Sequence, residues 1–133
     1  MGDAPSERLV DQRLRNRMME SLSWMVEWER DLHDWGAAEY FESFFDFFPY
    51  ERALPANSSM TAEEQAACSD VHALMIAACD ATPRMVTTEQ LIASGWPQRI
   101  APVANRALQM MVERGRFSEE LEEEMPSVPP SRT

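Results

Sequence analysis

Residues 24–50, WMVEWERDLHDWGAAEYFESFFDFFPY, hold ten of the twelve Trp, Tyr and Phe residues in this 133-residue chain. Aromatic side chains bury the most apolar surface per residue, and so dense a cluster left in water would drive association. Other helices, or a second chain, have to cover it. From Ala37 to Phe48 the pattern is amphipathic at helical period. Tyr40, Phe41, Phe44, Phe45, Phe47 and Phe48 share one arc at about 100° per residue, while Glu39, Glu42, Ser43 and Asp46 take the remaining side. Pro49 ends this helix.

Working back from the cluster, Gly36 supplies a stop for a longer first helix that starts at the Ser6 cap with Glu7 and runs to about Asp34. Val10, Leu14, Met18, Leu22, Trp24, Met25, Val26, Trp28, Leu32 and Trp35 fall in one broad arc; Gln12, Asn16, Glu20, Glu27, Asp31 and Asp34 fall opposite. Working forward, PYERALPANSS reads as a loop. Thr61 and Glu64 form a capping-box signature for a third helix from Ala62 to Asp80, whose Ala67, Cys68, Val71, His72, Met75, Ile76 and Cys79 repeat at three and four. Thr82 and Pro83 break it. Thr87 or Thr88 opens a short fourth helix, TEQLIAS, that stops at Gly95; GWP reads as a turn. Because Pro102 suits a first helical turn, a fifth helix is expected from about Ile100 or Ala101 to Arg114, with Gly115 as its stop.

No internal repeat and no sustained alternation of apolar and polar residues appears, so the expected fold class is all-α. The expectation is a single bundle of five or six helices over residues 6–118, with a long N-terminal helix, a flexible start over residues 1–5 and a disordered acidic, Pro-rich tail over residues 119–133. Trp24, Trp28, Trp35, Tyr40, Phe44 and Phe47 are the aromatics expected in the core. If the bundle cannot cover them all, the surplus should seal a homodimer.

Net charge is −11, from 23 acids against 12 basic residues, every one of them Arg. The absence of Lys, together with abundant Ala, Arg and Glu, points to a GC-rich coding bias and a bacterial source. An acidic surface of this size repels phosphate backbones and anionic membranes and suits a basic protein partner. The imbalance is local: residues 18–51 carry −8, whereas residues 95–116 carry +3. Glu27, Asp31, Asp34, Glu39, Glu42 and Asp46 are therefore the expected partner-binding residues, as in an inhibitor, an immunity-type protein or a regulatory protein. No leader and no apolar run near the ~20 residues of a membrane span is present, which predicts a cytoplasmic protein.

Three constellations compete with that expectation. Residues 86–117 have the order of a helix-turn-helix, with Arg99, Arg106 and Arg114 on the longer helix and MMVERGRF reading as the end of a recognition helix entering a wing; this is the alternative, a winged-helix-like DNA-binding regulator. Glu29 and His33 stand at i and i+4 inside the apolar arc, where a coupled carboxylate and imidazole could serve acid–base catalysis. Cys68 and His72, also four apart, could share a metal, but they lie on the apolar face of their helix, where core packing is the simpler account. Cys68 and Cys79 are about 16 Å apart along one helix at ~1.5 Å per residue and cannot pair. No cofactor, phosphate-loop, HExxH or GxSxG pattern occurs.

Overall fold

The computed structural model describes residues 4–50 and 52–128. Over these residues the chain is helical, with α1 at Glu7–Val26, α2 at Trp28–Trp35, α3 at Ala37–Phe45, α4 at Ala62–Ala81, α5 at Thr88–Ser94 and α6 at Trp96–Arg114. The caps read from the sequence are in place. Ser6 accepts from the Leu9 N–H, and Thr61 and Glu64 exchange both capping-box bonds. Thr87 and Gln90 do the same at α5.

Three boundaries differ from expectation. The first helix does not run unbroken to Asp34: Glu27 leaves the helical region at φ −92°, ψ 32°, and α2 starts afresh at Trp28. The break lets Leu32 enter the core, where Thr88 Oγ1 donates to its carbonyl. The aromatic helix ends at Phe45, so Phe47 and Phe48 lie in the following turn, with Phe48 stacked on Phe44 at 4.1 Å. The GWP segment is not a turn. Gly95, at φ 84°, ends α5 and opens α6 by itself, Pro97 takes the first-turn position, and α6 continues through Pro102. Gln98 and Pro102 are both exposed, so water can serve the carbonyl that Pro102 leaves without an N–H.

Packing is centred on α6, which lies against both α1 and α4. Met18, Leu22 and Met25 from α1, Cys68, Val71 and Met75 from α4, and Ile100, Ala104, Ala107 and Met111 from α6 are buried together with Tyr40, Phe44 and Phe48. The polar side of α1 is also covered, against expectation. Gln12, Arg15 and Asn16 are buried, whereas Val10 is exposed. Arg15 reaches Glu64 with both Nε and Nη2, at 3.2 and 2.9 Å, and donates to the carbonyls of Gly115 and Met111. Arg114 donates to the same carboxylate at 2.6 Å. Burial pushes the Glu64 carboxyl up, but hydrogen bonds from Arg15 and Arg114, the Arg15 charge and the Thr61 N–H outweigh it and hold the group below its ordinary range.

The expected tail without structure is not what residues 119–128 do. After Gly115 the chain folds back on α1: Gln12 donates to the carbonyls of Ser118 and Leu121, Arg13 to that of Glu119 and Arg8 to that of Glu123. Arg116 and Val128 pair as an isolated antiparallel bridge. Residues 129–133 of the expected tail, and residues 1–3 of the expected flexible start, lie outside the described residues. The loop after α3 is likewise tied down. Asn57 Nδ2 and Ser59 Oγ donate to the Asp11 carbonyl, and the Ser58 N–H donates to the Asp11 carboxylate.

Candidate functional site

The break at Glu27 and the positive φ of Gly36 (91°) set α2 between the end of α1 and the start of α3. Of the six acids expected to bind a partner, Glu27, Asp34, Glu39, Glu42 and Asp46 are exposed and Asp31 is half-buried. Among the described residues none of the five exposed acids has an ion pair; Asp31 alone meets an arginine, Arg30, with Nε 3.4 Å from Oδ1. Elsewhere four arginines form ion pairs. Arg15 and Arg114 hold Glu64, Arg17 and Arg116 hold Glu20, and Arg17 also holds Glu119.

The aromatics divide into two groups. Phe44 and Tyr40 are buried, Trp28 and Phe47 are half-buried, and Trp24 and Trp35 stand out at 45% and 73% exposure. These two tryptophans rim a cleft of about 30 Å³ between α1, α2 and α3, lined also by Met25, Asp31, Glu39, Tyr40 and Ser43. Two of these lining residues carry a buried polar atom with no hydrogen-bond partner among the described residues, the Tyr40 hydroxyl and Asp31 Oδ2. Burial raises the Tyr40 phenol well above its ordinary value, so it stays protonated. Hydrophobic periodicity places Tyr40 on the inner side of its helix; nothing in that pattern marks its hydroxyl as unanswered or brings Asp31 to it.

The competing constellations take different places. Glu29 and His33 are both exposed, without the apolar setting expected for them, and no hydrogen bond or ion pair joins them. Cys68 is buried against Met111 Sδ at 3.8 Å, and burial pushes its thiol up to about 12. His72 is buried with Nε2 on the Pro49 carbonyl. No group of three or more metal-ligating side chains occurs among the described residues. Arg99 and Arg106 are exposed on α6, with the Arg99 guanidinium 4.3 Å from the centre of the Trp96 ring. Arg114 is committed to Glu64, and the chain beyond it returns along α1 instead of forming a wing. No helix among the described residues is long and apolar enough to cross a membrane.

Sequence reasoning missed the buried Arg15–Glu64–Arg114 cluster. The capping box announced only the Thr61 side of Glu64, and a lone Arg in a helix carries no signal of its partner 49 residues away. No protein-family model, curated protein or solved structure matches the chain.

Proposed function

We propose that the protein is a non-enzymatic interaction module, of inhibitor, immunity or regulatory type, whose α2–α3 face captures a basic protein partner. The distribution of arginine supports this reading. The fold uses Arg15, Arg17, Arg114 and Arg116 to neutralise Glu20, Glu64 and Glu119 on α1, α4 and the C-terminal segment, and leaves Glu27, Asp34, Glu39, Glu42 and Asp46 exposed with no ion pair among the described residues. Unpaired like charges on one face cost stability and are useful where a cationic surface meets them, steering the encounter and excluding anionic partners.

The test is a pull-down with the tagged full chain from the source organism's lysate across a salt series, with protein and nucleic acid both quantified. A stoichiometric basic protein should bind and leave as salt rises. The Glu39→Gln, Glu42→Gln, Asp46→Asn variant should lose it while keeping its circular dichroism and thermal transition. Undiminished capture by that variant overturns the reading. Nucleic acid lost on Arg99→Ala and Arg106→Ala replacement would favour the α5–α6 helix pair as a DNA reader, and recovery of the chain only with itself would assign exposed Trp24 and Trp35 to a homodimer seam.

A further inference from the structure

We propose that the face of α1 built by Arg8, Gln12, Arg13, Asn16 and Arg17 is a peptide-binding surface, occupied in the free chain by its own residues 118–124 and taken in their place by an acidic peptide segment of a partner protein. This surface shares no residue with the acidic α2–α3 face and does not rest on the reading given to that face. Arg8, Gln12 and Asn16 stand at i, i+4 and i+8, one above the other on the helix, with Arg13 and Arg17 beside them. Gln12 Nε2 donates to the carbonyls of Ser118 and Leu121, both at 2.9 Å, and its Oε1 accepts from the Glu123 N–H at 2.7 Å. Asn16 donates to the Phe117 carbonyl and accepts from the Phe117 N–H. Amides that both give and accept in this way recognise a peptide main chain whatever its side chains. Side-chain choice comes from Arg17 and Asn16, which hold the Glu119 carboxylate.

The chain's own segment fills this surface loosely. Phe117 anchors it, 1% exposed, with the guanidiniums of Arg8, Arg15 and Arg114 at 5.2, 5.2 and 5.7 Å from the ring centre. Beyond Phe117 no residue from 118 to 128 is buried, and Leu121 and Met125 are 71% and 65% exposed. What holds these residues is polar contact and the single bridge from Val128 to Arg116, and segments with so little buried apolar surface open well below the cost of global unfolding. The charge match is also incomplete. Arg8 and Arg13 donate to main-chain carbonyls, those of Glu123 and Glu119 among them, and neither has an ion pair among the described residues. Charge-assisted bonds are roughly twice as strong as neutral ones. A segment that sets carboxylates against Arg8 and Arg13 therefore gains what the tethered one does not, and that gain works against the tether's effective concentration, about millimolar for a short flexible linker. The acids beside this face are already engaged, Asp11 by Ser58 and Glu20 by Arg17 and Arg116. More distant acids are screened beyond about 8 Å at physiological salt.

The full chain is compared with its Glu119→Gln, Val128→Pro variant, which removes the carboxylate held by Arg17 and the N–H that Val128 donates to the Arg116 carbonyl. Both are titrated with fluorescein-labelled hexaglutamate, hexaserine and hexathymidylate, following anisotropy, with circular dichroism to establish that each protein is folded. Hexaglutamate should bind saturably, about tenfold or more tighter to the variant than to the unaltered chain, and hexaserine should bind more weakly. Adding Arg8→Ala and Arg13→Ala to the variant should cost about tenfold in hexaglutamate affinity. If the double variant loses helicity, Glu119→Gln alone carries the same comparison. A purely structural segment would lower the variant's melting temperature with no gain in peptide binding, and that result overturns the proposal, as does equal binding to both proteins. Hexathymidylate bound as tightly as hexaglutamate overturns a peptide as the ligand. Self-association of the variant that hexaglutamate does not reverse assigns the face to a second copy and overturns the partner.

Discussion

Glu64 is the residue on which α1, α4 and α6 converge, since one buried carboxylate answers Arg15 from the first helix and Arg114 from the last. Breaking such a cluster by removing one partner strands a buried charge, which costs about 3–5 kcal/mol. Glu64→Gln should therefore lower stability by about that amount in denaturant unfolding. The pH dependence follows from the sign of the shift. The carboxyl titrates lower in the folded chain than in the unfolded chain, so its contribution is complete above the ordinary carboxylate value and is lost as pH falls through the folded value. Wild type should lose stability steeply on acidification below that ordinary value, and the Gln variant less steeply. Gly115 is the second sensitive position. Its φ is 97°, and a Cβ there would stand 2.6 Å from the Val128 carbonyl oxygen. Gly115→Ala should cost about 1–3 kcal/mol and free the C-terminal segment, read as faster proteolysis of residues 119–128. Gly95 has a similar φ but open space around it, so its replacement should cost only the backbone strain of about 1 kcal/mol.

Among the helices, α6 shows how packing overrides a local breaker. Pro102 stands inside it, and a proline in a helix interior costs up to about 3 kcal/mol. The helix persists because Ile100, Ala104, Ala107 and Met111 are all fully buried on one face, while the proline sits on the exposed side. Pro102→Ala should restore a donor to the Gln98 carbonyl and raise thermal stability by about 1 kcal/mol or more; a lower melting temperature would show that the proline fixes a bend the bundle needs. The opposite case is the junction of α1 and α2. Every residue from Glu7 to Trp35 is compatible with one helix, yet the chain breaks at Glu27, and Leu32 beyond the break is buried with its carbonyl accepting from Thr88 of α5. Helix propensity is too weak a preference to resist burial of that kind.

Across the whole molecule the acidic chain separates its charges by use. Arg15, Arg17, Arg114 and Arg116 gather where helices and the C-terminal segment meet, whereas Asp34, Glu39 and Glu42 on α2 and α3 have no ion pair among the described residues, like Glu63 and Asp70 on α4 and Glu113 on α6. The C-terminal segment belongs to this framework: deleting residues 119–133 should uncover Gln12, Asn16 and Arg17 on α1, lower the melting temperature and speed hydrogen exchange along that helix, whereas an unchanged melting temperature would show that the segment only rests on a finished bundle. The sequence by itself determined the all-helical class, the caps at Ser6, Thr61 and Thr87, and the inward aromatic side of the third helix, because those follow from contacts within three or four residues. It also showed where negative charge accumulates. Only the tertiary structure decided that Gln12, Arg15 and Asn16 face inward, that the acidic segment returns to α1, and that Asp31 and Tyr40 share a cleft. These depend on partners far away in the chain, for which a helical period carries no information, and on buried polar groups whose place is fixed by hydrogen bonding that hydropathy does not register.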